Sequence, residues 1–197
     1  MLKLLAIPVL AALTTAVLVP PPSGPYSVVT NVHPLTDESR QDPYAPEDKR
    51  RILVSTFFPV DSSSCEDEDA VTPYLLPQTE AVYAELLKGF GLPAELLSGF
   101  EVGYCSPKEV PAENESTDGF PLVILSPGFT GSRLFYAVQA RALASMGYAV
   151  VTLDHPYDSL IVEFPDGSIV TGPAVAENDT AGLVNLVQVS SITLLAF

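Results

Sequence analysis

The residues Ser126-Pro127-Gly128-Phe129-Thr130-Gly131 stand between an aliphatic run and a helical pattern, and their types suit one kind of chemistry. Acyl transfer builds negative charge on a carbonyl oxygen, and a backbone N–H kept free of other partners stabilises that charge. Pro127 restricts Ser126 to extended backbone, Gly128 permits an unusual φ, and the N–H of Phe129 is then available to face the oxygen. A plain strand-ending turn has the same composition, so spacing alone leaves both readings open. A second group with chemical capacity is His155, with Asp154 and Asp158 nearby. An imidazole among carboxylates suits acid–base work or a metal, but a loop after a core strand explains the same residues more simply. His33, between Val32 and Pro34, reads as a loop histidine. With two histidines and two cysteines in the chain, no metal site and no cofactor is expected.

The N-terminus reads Met1, Leu2, Lys3, then a largely apolar stretch from Leu4 to Val19 that ends at Pro20-Pro21-Pro22. A membrane-crossing helix wants about 20 apolar residues. This stretch is marginal in length and carries Pro8, so residues 1–19 read as a signal peptide cleaved near Ala16 rather than a stable span. An uncleaved anchor is the alternative. Asn114-Glu115-Ser116 and Asn178-Asp179-Thr180 are glycosylation sequons in polar surroundings, which fits a secreted, extracellular protein. In an oxidising compartment the pair Cys65 and Cys105, without CxxC spacing, reads as one disulfide. The formal net charge of −15 excludes nucleic acid as a partner, because phosphate recognition needs clustered Lys and Arg. Much of that charge lies in Glu66-Asp67-Glu68-Asp69, which reads as a solvated loop.

Several elements must position these groups. Pro20 to Pro25 forms a stiff lead-in. Ile52 to Phe58 is a strand that Pro59 ends. Pro77 opens a helix with Val82, Leu86 and Phe90 on one face, and a second short helix starts at Pro93. Cys105 to Gly119 is an exposed connection. Leu122 to Leu125 reads as a strand buried on both faces of a parallel sheet. Leu134 to Met146 is a helix with Phe135, Val138, Ala142 and Met146 inward, stopped by Gly147, and Tyr148 to Leu153 is the next strand. Strand, turn, helix, glycine and strand make a βαβ unit, hence an α/β class. Ile161 to Phe164 and Ser168 to Val170 flank Pro165-Asp166-Gly167 as a hairpin. Thr180 to Phe197 reads as an uncharged helix without a stop signal, and so as a truncated or altered terminus.

The block Pro121 to Val170, PLVILSPGFTGSRLFYAVQARALASMGYAVVTLDHPYDSLIVEFPDGSIV, resembles the fungal secreted branch of the platelet-activating-factor acetylhydrolase family. The likeness extends through Asp42-Pro43-Tyr44-Ala45-Pro46, the strand Ile52 to Phe58 and Pro73-Tyr74, and reaches about Gln188. It implies the N-terminal part of an α/β-hydrolase sheet, residues 20–197, truncated before the nucleophile-elbow strand. It also implies a serine esterase acting on short or oxidised acyl chains of phospholipids, with no metal or cofactor. Phe129 matches the oxyanion-hole position, and Gly128 lies in its loop. The triad of such enzymes follows this point in the order Ser, Asp, His, with Ser in GxSxG. No GxSxG occurs in this sequence, so the chain by itself is expected to be inactive. The alternatives are an α/β-hydrolase acting on another ester, and a non-catalytic secreted or surface-anchored module. For the latter, Ala181 to Phe197 would be the anchor-addition tail, interrupted by Asn185 and Gln188.

Overall fold

The computed structural model describes residues 16–108, 119–173 and 179–184. Three sheets organise them. The main sheet has four strands in the order β2-β3-β7-β6: β2 (Ser27–Gln41), β3 (Lys49–Val60), β6 (Leu122–Leu125) and β7 (Ala149–Asp154). β2 runs antiparallel to β3 and β3 antiparallel to β7, whereas β6 and β7 are parallel, with Leu122 opposite Ala149 and Leu125 opposite Thr152. A second sheet is ordered β1-β5-β4, from β1 (Val17–Leu18), β4 (Cys65–Pro73) and β5 (Phe100–Pro107). β8 (Ile161–Glu163) and β9 (Ile169–Thr171) form the expected hairpin, with Gly167 in the left-handed conformation that its turn requires.

The βαβ unit is present. β6 leads through a 3-10 turn (Arg133–Tyr136) into α2 (Ala137–Ser145), which returns the chain to the parallel neighbour β7. The core lies between α2, β5 and one face of the main sheet, where Val28, Phe57, Val102, Tyr104, Ala137, Ala140, Ala144 and Val150 are buried together. The inward face of α2 is not the expected one: Ala137, Ala140, Arg141 and Ala144 are buried, while Met146 is 60 % exposed. A 3-10 turn advances three residues per turn instead of 3.6, so the opening Arg133–Tyr136 segment shifts the phase of everything after it. α1 (Pro77–Gly89) is likewise rotated. It buries Thr79 and Tyr83 and leaves Phe90 74 % exposed. Polar anchors set this face, since the Thr79 N–H and hydroxyl both donate to Glu163 Oε1, at 2.6 and 2.8 Å.

Several strand expectations also change. His33 is not in a loop but within β2, opposite Val54. Pro34 beside it is tolerated because β2 is the outer strand of its sheet. β3 runs on through Pro59 because β7 pairs only with Leu53 to Phe57, so Pro59 lies past the two-sided part of the strand. The acidic run is not a loop either. It lies in β4, an outer strand, with Glu66, Asp67 and Asp69 exposed and register shifts on both sides of Asp67. Charges on an outer strand block pairing with other chains. β6 is not buried on both faces: Leu122 is 58 % and Ile124 46 % exposed, and β7 is its one neighbour among the described residues. The Pro93 helix is a 3-10 segment, Ala94–Leu97.

The lead-in is tied down. Tyr26 N–H donates to the Ser145 carbonyl at 3.1 Å, and at Gly24 a Cβ would lie 2.1 Å from that carbonyl oxygen, so only glycine fits. Cys65 and Cys105 form the expected disulfide, joining β4 to β5 with both residues buried. Much of the predicted signal peptide, both sequon asparagines and residues 185–197 lie outside the described residues; within them the chain is helical from Thr180 to Val184. No helix among the described residues is long and apolar enough to cross a membrane.

Candidate active site

The carboxyl ends of β6 and β7, two adjacent parallel strands, each release a loop, 126–132 and 155–160. In open α/β sheets ligands bind outside the carboxyl ends of the strands. The first loop is a tight turn in which Gly131 N–H donates to the Gly128 carbonyl at 2.8 Å. Thr130 has φ 64 and is the one residue of the four in the left-handed region. A four-residue turn with this bond and a left-handed third residue has the pattern of type II. The unusual φ expected at Gly128 thus falls on Thr130, because the third position of the turn demands it. Gly131 is the sterically required glycine, as a Cβ there would meet Gly128 O at 2.9 Å and Pro127 Cβ at 3.0 Å. At Gly128 a Cβ would touch nothing within 4 Å, so the space beside the turn is open.

A left-handed threonine is costly and persists only where its surroundings fix it. Here the Thr130 N–H donates to the Asp158 carbonyl at 3.2 Å, and the Thr130 carbonyl accepts from the Tyr83 hydroxyl at 2.5 Å and Leu160 N–H at 3.4 Å. All of these bonds fall on Thr130. The Phe129 N–H has no hydrogen-bond partner among the described residues, and Phe129 itself is 36 % exposed. A fixed turn whose Phe129 N–H is uncommitted among the described residues, as the Gly128 N–H beside it also is, can accept a developing oxyanion.

The far end of the loop is clamped by charge. The Arg133 backbone N–H donates to Asp154 Oδ1 at 2.6 Å, its Nη1 to Asp154 Oδ2 at 2.5 Å and its Nε to Ser55 Oγ at 2.9 Å. Both charged side chains are buried, at 3 % and 1 % exposure. Burial pushes the Asp154 carboxyl up, and the Arg133 guanidinium pulls it back. This pair ties the start of the 3-10 turn to the end of β7. Asp154 is therefore committed to Arg133 and is not a partner for His155.

At the near end of the loop, Ser126 Oγ lies 2.9 Å from His155 Nε2. A serine hydroxyl on an imidazole has the outline of a nucleophile and its base, but two features speak against that role. Burial lowers the His155 pKa to about 4, which makes the ring a weak base. His155 Nδ1 is buried with no partner among the described residues, whereas a catalytic base is oriented by an acceptor on that nitrogen. The bond instead fastens the end of β6 to the loop after β7. His33 is exposed, with Nε2 3.3 Å from Thr56 Oγ1, and takes no part in this site. Arg133 and Tyr83 are contributors that sequence reasoning missed. Arg133 offered a signal, a cation immediately after the turn and 21 residues before an acid that ends a strand.

Three comparisons bear on this arrangement. Residues 11–166 match the family model described as platelet-activating factor acetylhydrolase, isoform II. A curated protein of Arthroderma benhamiae, probable 1-alkyl-2-acetylglycerophosphocholine esterase, is 33 % identical over 177 residues, which cover 87 % of this chain and 46 % of that protein. The ferulic acid esterase from Streptomyces cinnamoneus has a matching structure with a TM-score of 0.61 and 28 % identity, covering 90 % of this chain and 48 % of that one. The fold is α/β-hydrolase-like, and the chain spans about half the length of the curated relative it matches.

Proposed function

Because the chain belongs to the platelet-activating factor acetylhydrolase, isoform II, family, we propose that it provides the oxyanion-binding portion of a secreted serine esterase, with Phe129 N–H as one donor. The observation that carries this reading is the Phe129 N–H, uncommitted among the described residues, in a turn whose Thr130 and Gly131 are held by hydrogen bonds. In ester hydrolysis a serine oxygen adds to the carbonyl carbon, and the carbonyl oxygen takes the negative charge until the alcohol leaves. This chain's residues would hold that oxygen. The nucleophile, acid and base have no candidates here, since the sequence holds no GxSxG and the Ser126–His155 pair lacks an activated imidazole. The isolated chain is therefore expected to hydrolyse no chromogenic acetate ester above background. Turnover that vanishes with a serine-directed inhibitor would refute this.

Turn geometry supplies a direct test. Proline is favoured at the second position of a type II turn, so Phe129→Pro preserves the turn while deleting the N–H. In a protein that joins this chain to the remainder of the family's length, we expect kcat to fall about 100- to 1,000-fold with little change in thermal stability. An unchanged kcat would remove Phe129 from the oxyanion site.

The substrate proposed is a phospholipid carrying a short acyl ester, on the strength of the relative's name. A second reading, an ester of another class, is favoured by the likeness to a ferulic acid esterase. Comparing kcat/KM for a 2-acetyl phospholipid and a feruloyl ester in the joined protein decides between them. Secretion is proposed from the leader and the sequons. Val17–Leu18 pairs with Phe100 and Glu101, so cleavage near Ala16 keeps β1 whereas cleavage after Val19 removes it. Medium-borne protein should begin at or near Val17 and lose mass on deglycosylation at Asn114 and Asn178; an unprocessed intracellular chain would end this proposal.

A further inference from the structure

α1 begins without a cap of its own. Its N-cap position is Leu76, which makes no side-chain capping bond, and Pro77 follows at the start of the helix. A helix start leaves backbone N–H groups without partners, and a side-chain oxygen close in sequence ordinarily takes one of them. Here the oxygen comes from the β8–β9 hairpin, 84 residues away. Glu163 Oε1 accepts both the Thr79 N–H, at 2.6 Å, and the Thr79 hydroxyl, at 2.8 Å. A carboxylate also complements the positive end of a helix. Thr79 is buried, and Glu163 stands between the buried residues Val162 and Phe164, so both partners are fixed in place.

One turn further along the same face, α1 carries Tyr83. Its ring is buried and meets Phe135 edge-on, with centroids 4.6 Å apart and planes at 90°. Phe135 lies in the 3-10 turn that follows the 126–132 loop. The Tyr83 hydroxyl donates to the Thr130 carbonyl at 2.5 Å. Burial, with Asp154 and Asp158 adding to it, pushes the phenol up from its ordinary value, so the hydroxyl keeps its proton.

Thr130 is where this contact acts. At φ 64 it occupies a backbone region that threonine rarely adopts. Relaxing to a right-handed backbone would convert the type II turn to type I, by rotating the peptide between Phe129 and Thr130. The bonds that oppose this come from two directions. The loop after β7 supplies two long ones, Asp158 carbonyl at 3.2 Å and Leu160 N–H at 3.4 Å, and α1 supplies the short one. An oxyanion donor must be held to within about 0.5 Å, which a turn alternating between two forms does not achieve.

We propose that Glu163 and Tyr83 are positioning residues for the ester site, Glu163 seating α1 from the hairpin and Tyr83 carrying that seating to Thr130 and so to the Phe129 N–H. The proposal rests on the reading that this N–H holds the ester oxygen. It makes α1 a brace between the hairpin and the turn, and it asks neither residue to touch substrate.

Two measurements test the brace. In the purified, disulfide-intact chain, the backbone NMR shifts and couplings of Thr130 read the turn without any chemistry. Tyr83→Phe keeps the ring against Phe135 and deletes the hydroxyl. We expect this variant and Glu163→Ala to move Thr130 out of the left-handed region or set it exchanging. Glu163→Gln keeps an acceptor oxygen for Thr79 and should restore the parent signals. Thr130 unmoved in Tyr83→Phe, or Glu163→Gln no better than Glu163→Ala, would overturn the brace. The second measurement uses the protein that joins this chain to the remainder of the family's length, with kcat counted per serine titrated by inhibitor. Tyr83→Phe should lower kcat about 10- to 100-fold with KM unchanged, as a misplaced donor would. Added to Phe129→Pro it should cost nothing more, because both act through one N–H, and an additive loss would overturn the proposal. The two readings fail separately. A costly Phe129→Pro beside a harmless Tyr83→Phe would overturn the brace alone. A harmless Phe129→Pro would overturn the oxyanion function, with the Thr130 signals still deciding whether α1 holds the turn.

Discussion

His155 shows how a residue's surroundings decide what its chemistry is used for. Buried against Ser126, its ring stays neutral until about pH 4, compared with an ordinary value of 6.5. A histidine whose pKa is lower in the folded chain stabilises the fold above its unfolded pKa, and that contribution is lost as pH falls from 6.5 towards 4. The loss amounts to about 3 kcal/mol for this shift. Asp154 and Asp158 act in the opposite sense, because their raised pKa values let the folded chain take up protons first. We expect His155→Gln to flatten the decline of Tm between pH 6.5 and 4.5. A variant whose Tm still tracks the parent across that range would show that His155 is not the group responsible. The Arg133–Asp154 pair makes a different prediction. Asp154→Asn leaves a buried guanidinium without its counter-charge and should cost about 3–5 kcal/mol in urea unfolding, whereas a loss below about 1 kcal/mol would mean the pair is solvated.

Among the elements, β4 and β5 depend most on a covalent tie. β4 is acidic, lies at the outside of its sheet and has an irregular register, so its ladder with β5 is interrupted near the Cys65 end. The disulfide closes a separation of 40 residues. In the chain-entropy account a loop of that size contributes about 4 kcal/mol. Reduction should lower the urea midpoint accordingly, and alkylation without reductant should label neither cysteine. An unchanged midpoint after complete reduction would place the stability of this sheet in its packing alone.

For the whole molecule, the exposed β6 edge is the main liability. Leu122 and Ile124 are exposed, and β7 is the strand's one neighbour among the described residues, so within those residues the outer edge of β6 offers backbone groups to another chain. Light scattering should find concentration-dependent association of the purified chain. Ile124→Lys puts a charge on the exposed face and should reduce that association without lowering Tm. A monodisperse parent with a sharp melting transition would show that something already covers the edge.

The sequence by itself determined what depends on neighbouring residues. The βαβ unit from Leu122 to Leu153, the hairpin around Pro165-Asp166-Gly167, the glycine stop at Gly147 and the turn after β6 were all legible, because periodicity and turn chemistry are local. The disulfide was legible from the cysteine count and the lack of CxxC spacing. Tertiary structure decided which faces of α1 and α2 turn inward, because a 3-10 turn reset the phase of one and Glu163, 84 residues from Thr79, anchored the other. It also placed His33 and the acidic run in strands, since their partners lie on β3 and β5, and no pattern in a single segment reports a distant partner. The site divides in the same way. Phe129 could be named from the turn it occupies, but the bonds that leave its N–H uncommitted come from Tyr83, Asp158 and Leu160, residues 47 or fewer positions away that only folding brings to Thr130.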